Sequence, residues 1–147
     1  MFGDCHIHMI LDGVYYRAAI DAQKERVDEA LVRARLETYR DAGVRFLRDG
    51  GDAWGVGSFA ARIAGEYGID YRTPAFPIHR KGHYGGFIGK GYETLKEYAT
   101  LVGIAREQGA DFIKNHDLRP DGLRLLRQNH QRTPRSGGNS GVDPYRP

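Results

Sequence analysis

The alternation of short apolar segments with helical ones restricts the fold of this chain more than any other feature. The predicted strands are at residues 2–11, 44–48, 69–79 and 110–114. The predicted helices between them are at about 26–42, 58–68 and 92–109. Most of these helices end in glycine, as helix C-termini commonly do. The order predicts an α/β fold in which parallel strands are joined by right-handed crossovers.

The positive charge of the chain lies in its C-terminal segment. Residues 115–147 hold six arginines, three aspartates and no lysine or glutamate. Removing them from the whole-chain counts of 22 basic and 19 acidic residues leaves 16 of each in residues 1–114. The basic balance therefore predicts no nucleic-acid partner for the segment that carries the fold.

Composition also bears on the compartment. The chain has no apolar run of about 18 residues, which predicts no membrane partner. Its single cysteine excludes an intramolecular disulfide. The first residues carry aspartate and histidine where a signal peptide needs a basic and then an apolar region. A cytoplasmic location fits these features best.

The first predicted strand contains the pattern His-Ile-His. Side chains alternate between faces along a strand, so His6 and His8 point the same way, about 6–7 Å apart along the strand. Two imidazoles at this spacing can reach one metal ion or a close pair, and Asp4 could accept a hydrogen bond from a ligand ring. Two metal-free histidines at a polar strand end fit the same pattern.

Lys114 ends the fourth predicted strand. In a parallel barrel the C-terminal strand ends form the mouth of the active site. A lysine held there away from water has a lowered pKa and is nucleophilic when neutral. A neutral amine can take up carbon dioxide and become a carbamate, which can bridge two metal ions. A lysine at a strand edge that reaches into solvent is the alternative interpretation.

Four segments together resemble the amidohydrolase superfamily, and more narrowly its metal-dependent members related to imidazolonepropionase and the prolidase-like dipeptidases. They are DCHIHMILDG, RDGGD, PAFPIH followed by GHYGGFIGKG, and GADFIK, all within residues 1–114. The resemblance implies the N-terminal half of a (β/α)8 TIM barrel, with about four parallel strands and their crossover helices.

The same resemblance implies a metal site and a reaction class. His6 and His8 would bind one or two divalent metal ions, usually zinc, and Lys114 would be the carbamylated bridging ligand. Metal-activated water would hydrolyse an amide or related C–N bond in a small-molecule or dipeptide-like substrate. Phosphoesterases of the histidinol-phosphatase type and TatD-like nucleases share the first motif, but phosphoesterases of that type lack a strand like GADFIK.

The loop after the third predicted strand is rich in glycine and basic residues. His79, His83 and Tyr84 would line the mouth of a barrel and contact substrate, or would belong to a solvated loop. Asp49 and Asp52 occupy a similar place after the second strand.

The pattern of ordered segments stops after Lys114. The family continues there with an apolar strand and a small-residue loop, and carries its remaining metal histidines and its catalytic aspartate on later strands. Those parts are missing, so no catalytic set is complete, and the roles are not transferred to His116 or His130. We interpret residues 115–147 as an unstructured tail read out of frame, which makes the chain an inactive fragment as written. A native disordered tail and an arginine-rich nucleic-acid arm are the alternatives.

Another class of function remains open on the residues alone. The chain could be a small βα module that binds an anion in its glycine-rich loop and carries a basic tail. A half barrel would also leave an open strand edge, which predicts self-association.

The frame interpretation makes a prediction about the gene. Asn-His-Asp can be encoded by AATCATGAT, which reads Ile-Met-Ile one base later. Deleting one base after the Lys114 codon should therefore extend the open frame well past residue 147. Sequencing across that codon tests this, and a stop within a few codons of the shifted frame would contradict it.

Overall fold

The computed structural model of the chain describes residues 2–116. Its larger sheet contains three strands side by side in chain order, β1 (Phe2–Ile7), β2 (Val44–Asp49) and β3 (Asp70–Arg72). The central strand pairs in parallel with both neighbours. The prediction of an α/β fold with parallel strands is confirmed.

Helices connect the strands of this sheet, and one more helix follows later in the chain. They are α1 (Tyr16–Asp21), α2 (Glu29–Asp41), α3 (Val56–Ile63), continued by a 3-10 turn at Ala64–Tyr67, and α4 (Leu95–Glu107). Asp28 accepts the N–H of Leu31 where α2 begins, and Thr94 accepts the N–H of Glu97 where α4 begins. The sequence pattern predicts α2, α3 and α4. It misses α1, which has only six residues and a single buried side chain.

The main hydrophobic core forms where α2 and α3 pack on β2 and β3. Leu47 of β2, Leu36 of α2 and Val56 of α3 are all fully buried. Burial of side chains of this size contributes about 1.5–3 kcal/mol each relative to exposure. This core fixes the strands from which the candidate site is built. A second, smaller cluster joins Phe76 and Ile78 to α4.

The third predicted strand, 69–79, is divided in two. Only β3 joins the larger sheet, and β4 (Ile78–Arg80) pairs in parallel with β5 (Lys90–Tyr92) in a second sheet. Pro74 and Pro77 lie between β3 and β4, and proline has no N–H for a ladder. Ala75 between them has a positive φ of 61°, so the chain turns there.

The fourth predicted strand, 110–114, is not a strand in the structure. The segment still runs beside the third one, because the Asp111 N–H donates to the Thr73 carbonyl oxygen over 2.8 Å. Further along, the Ile78 N–H donates to the Lys114 carbonyl oxygen, and the His116 N–H donates to the Ile78 carbonyl oxygen. The expected neighbour relation is therefore present, but the prolines interrupt the ladder that would make it a strand.

The described residues form two small sheets without a closed barrel. The predicted unstructured tail begins at residue 115, but Asn115 pairs in parallel with Ile78 and is part of the ordered segment. Residues 117–147 lie outside the described part of the chain, as does the frame interpretation of them. No helix within residues 2–116 is long and apolar enough to cross a membrane.

The outer edge of β1 predicts self-association. Phe2 is 70% exposed on this strand, which within the described residues pairs with β2 alone. Such an edge can pair with another chain, and a lysine there opposes pairing. We expect the chain to sediment as species larger than the 16.5 kDa monomer, and Phe2→Lys to shift the distribution toward monomer. Leu95→Lys, at an equally apolar but helical position that is 83% exposed, is the control. Equal effects of both variants, or a monomeric wild type, would contradict the prediction.

Candidate functional site

Two histidines and a lysine from distant parts of the chain meet at the carboxyl end of β1. Lys114 Nζ lies 3.1 Å from His6 Nε2 and 3.4 Å from His8 Nε2. The two imidazole centroids are 5.5 Å apart, with the rings tilted by 50°. The three residues predicted to bind metal therefore lie together, with their side-chain nitrogen atoms facing one another.

Two glycines after β2, Gly50 and Gly51, contact the His8 ring, and we call them the seat of this ring. A Cβ atom on Gly50 would overlap the His8 ring, so a larger residue there would displace it. The Gly50 N–H donates to the Ile7 carbonyl oxygen over 2.7 Å, which holds the seat against β1. The sequence pattern identifies RDGGD only as a loop. The contact with His8 could not be predicted because nothing local in the sequence reports it.

The hydrogen bonds of His8 define its tautomer. Its Nδ1 lies 3.1 Å from the carbonyl oxygen of Gly51, which can only accept, so Nδ1 carries the proton. Nε2 then presents its lone pair toward Lys114. Metal-binding histidines commonly have this arrangement, with the far nitrogen bonded to a carbonyl. Asp4, predicted to orient a ligand ring, instead accepts the backbone N–H of His6 over 3.1 Å.

Burial disfavours the charged forms of His8 and Lys114. Burial, and then the charge of Lys114, lowers the pKa of His8 from 6.5 to about 4. Burial also lowers the pKa of Lys114, although the carboxylate of Asp49 partly opposes this effect. The neutral form of each group has a lone pair that can bind a cation or attack an electrophile.

Asp49 and Asp52 are buried and have structural partners. Each is 2% exposed, so neither lines an open mouth as a substrate contact would. Asp49 accepts the N–H of Met9 over 3.3 Å and the hydroxyl of Thr73 over 3.1 Å. Asp52 caps α3 by accepting three backbone N–H groups, those of Trp54, Val56 and Gly57. Both carboxylates stabilise the loop that seats the histidine.

The three predicted substrate contacts have different environments. His79 is 6% exposed, its Nδ1 lies 3.0 Å from the Arg80 carbonyl oxygen, and its ring lies against Gly86. His83 is exposed, and Tyr84 is 71% exposed. Tyr84 therefore presents the most accessible surface of the three, and substrate contact by each of them stays a prediction.

His116 joins the site although the sequence pattern gave it no role. Its backbone N–H donates to the Ile78 carbonyl oxygen, and its ring meets the Tyr84 ring edge to face at 5.6 Å. Burial, and then the charge of Lys114, lowers the pKa of His116. Its buried Nε2 atom has no hydrogen-bond partner within residues 2–116. The signal that could have found it is its place two residues after Lys114, a spacing that puts two side chains on the same face of an extended segment.

The described residues contain no group of three or more His, Cys, Asp or Glu side chains arranged to hold a metal ion. A metal at this site would therefore need Lys114 as a donor beside the two histidines. Comparison with known proteins gives no relative, since no family model, curated protein or solved structure matches the chain.

The buried carboxyl of Asp49 makes stability depend on pH. Burial, and then the charge of Asp52, raises the pKa of Asp49 from 3.8 to about 6. Between these values the folded protein holds a proton that the unfolded chain releases. The carboxyl therefore stabilises the fold most below its unfolded pKa, and this contribution is lost as pH rises through the folded pKa. Relative to Asp49→Asn, wild type should lose about 2–3 kcal/mol of unfolding free energy from acid to neutral pH.

Urea unfolding across that pH range measures the difference. Asp21→Asn is the control, because the Asp21 side chain is 63% exposed in an ion pair with Lys24. Its profile should run parallel to that of wild type. Parallel profiles for wild type and Asp49→Asn would contradict the prediction.

Proposed function

We propose that this chain is the N-terminal part of a metal-dependent amidohydrolase with a (β/α)8 barrel, acting on amide or dipeptide-like small molecules. The observation that carries the proposal is the convergence of His6, His8 and Lys114 on one point. The amidohydrolase resemblance assigns metal binding to these same three residues. The parallel α/β order, with the cluster at the carboxyl end of β1, also agrees with a barrel.

The residues present fit a divalent metal with nitrogen and oxygen ligands. His6 and His8 would supply imidazole nitrogen atoms, and Lys114, as a carbamate, would supply oxygen atoms. Zinc accepts such ligands, and a catalytic zinc site commonly has three protein donors. The bound metal would lower the pKa of a water molecule and polarise the amide carbonyl.

The protein groups around the cluster prepare these donors. The Gly51 carbonyl fixes the His8 tautomer, and Gly50 leaves the space that its ring needs. Burial lowers the pKa of Lys114, which raises the fraction of neutral amine. The neutral amine nitrogen can attack carbon dioxide, forming an N–C bond and releasing one proton to water as the carbamate appears.

The anion-binding module is less well supported. Two lysines of the glycine-rich segment are already engaged, Lys81 with Glu93 at 3.2 Å and Lys90 over the Phe76 ring at 4.1 Å. The lowered pKa of His8, about 4, also leaves this ring uncharged at neutral pH, so it offers an anion no positive charge. The phosphoesterase alternative explains the two histidines, but it assigns no role to a lysine that contacts both of them.

Metal binding tests the proposal directly. Titration of the full chain with Co²⁺, followed by visible absorption and calorimetry, should show binding that His6→Asn and His8→Asn each weaken at least about tenfold. His83→Asn is the matched control and should bind as wild type does. Bicarbonate should strengthen binding to wild type but not to Lys114→Met. Wild-type binding no tighter than that of the two histidine variants would contradict the proposal.

The glycine seat gives a second, independent test. Gly50→Ala should weaken Co²⁺ binding about as much as a histidine variant, because the added methyl group displaces the His8 ring. Gly103→Ala, where a Cβ meets nothing within 4 Å, should have no effect. We expect no appreciable hydrolysis of amides or dipeptides by the 147-residue chain, because the family's remaining ligands and catalytic aspartate are not identified in it. Metal-dependent turnover by the purified chain would contradict that expectation.

A further inference from the structure

A row of four aromatic rings, three of them exposed, lies beside the cluster. Tyr16 meets Phe87 at 5.7 Å between centroids, Phe87 meets Tyr84 at 5.6 Å, and Tyr84 meets His116 at 5.6 Å. Tyr84 is 71% exposed, Tyr16 44% and Phe87 39%. We call these four rings the aromatic ledge. Their contacts are all edge to face, which leaves ring surface open to solvent.

The position of the ledge relates it to the candidate site. Tyr16 follows the loop after β1, while Tyr84 and Phe87 belong to the loop after β4. The carboxyl ends of parallel strands are where α/β proteins bind their ligands. At one end of the ledge lies His116, two residues after Lys114, and the Ile78 backbone forms hydrogen bonds to both of these residues. The ledge therefore extends outward from the cluster.

The other end of the ledge carries a cation. The Arg17 guanidinium lies 5.7 Å from the centre of the Tyr16 ring, and its Nε donates to the Tyr16 hydroxyl over 3.0 Å. Asp12, in the loop before Tyr16, accepts the backbone N–H groups of Val14 and Tyr15 at 2.9 Å. A ligand on the ledge thus meets aromatic surface along its length and a guanidinium at its outer end.

We propose that the aromatic ledge binds an aromatic substrate that carries a carboxylate, with its ring on the ledge and its carboxylate at Arg17. Because the ledge separates Arg17 from the cluster, the amide of such a substrate would stand many bonds away from its carboxylate. The inference names the substrate of the proposed amidohydrolase and so rests on that function, but ligand binding to the ledge requires no metal.

The exposure of the rings supports a ligand rather than a packing role. Core side chains of this protein are almost completely buried, as the exposed fractions of Phe76 and Leu47, 2% and 0%, illustrate. Removing Tyr84 or Phe87 should therefore leave the fold intact. A guanidinium at the rim also favours an anionic ligand over a purely apolar one.

Binding of 2-naphthoate to the metal-free full chain, measured by equilibrium dialysis, tests the inference. We expect a dissociation constant of about 1 mM or lower. Tyr84→Ala and Phe87→Ala should each weaken binding severalfold, and the double variant about tenfold. Tyr15→Ala is the matched control, because this phenol is 73% exposed and lies outside the ledge. Circular dichroism checks that each variant folds.

Two further ligands separate the chemical contributions. Arg17→Gln should weaken 2-naphthoate but leave the neutral 2-naphthamide unchanged, and cyclohexanecarboxylate should bind more weakly than 2-naphthoate. No binding by wild type, equal binding by the double variant, or equal binding of cyclohexanecarboxylate would each overturn the inference. If Tyr84→Ala and Phe87→Ala reduced self-association of the chain but not ligand binding, the ledge would be a contact surface for a second copy of the chain. That result would also overturn the inference.

The Co²⁺ titration tests the proposed amidohydrolase, and the naphthoate titration tests the ledge, so each proposal can fail without the other. Naphthoate binding without Co²⁺ binding would support the ledge and reject the amidohydrolase. Co²⁺ binding that depends on His6 and His8, without naphthoate binding, would support the enzyme and reject this substrate class.

Discussion

The parallel pairing of β1 with β2 determines where the candidate groups lie. Ile7 lies opposite Asp49 in the register, and the hydrogen bond from the Gly50 N–H to the Ile7 carbonyl extends the ladder past the strand ends. That bond brings a residue without a side chain beneath the ring of His8. A one-residue shift of this register would direct alternate side chains to the opposite face and separate the histidines from Lys114.

Parts of this arrangement follow from the sequence and parts do not. The helices with clear caps, the strand that carries the His-Ile-His pattern and the nearness of Lys114 to it could be predicted, because each depends on local signals or on the parallel order. The split of residues 69–79 at Pro74 and Pro77 was not predicted, although both prolines are visible. How a proline-containing segment divides between two sheets depends on partners distant in the chain, as does the seat that Gly50 gives to His8.

The separation of acids from bases explains the character of the site. Asp49 and Asp52 are buried in hydrogen bonds to backbone and hydroxyl groups, so they do not neutralise the histidines by direct contact. Lys114 instead lies against imidazole nitrogen atoms, and burial lowers its pKa together with that of His8. Within the described residues, the imidazole nitrogen atoms of the cluster therefore contact an amine and not a carboxylate.

The segment 81–89 connects β4 to β5, and these two short strands pair with each other. Lys81 donates its N–H to the Tyr92 carbonyl oxygen, and Lys90 donates to that of Pro77, so both ends of the loop are tied to one ladder. Bringing the ends of a loop together costs conformational entropy. In this chain the pairing of β4 with β5 brings the ends together when the protein folds. Tyr84 and Phe87 are thus carried on a loop whose closure is already complete. A ligand that binds to these two side chains orders less of the backbone on binding. The entropic cost of binding is then lower, and the affinity is higher.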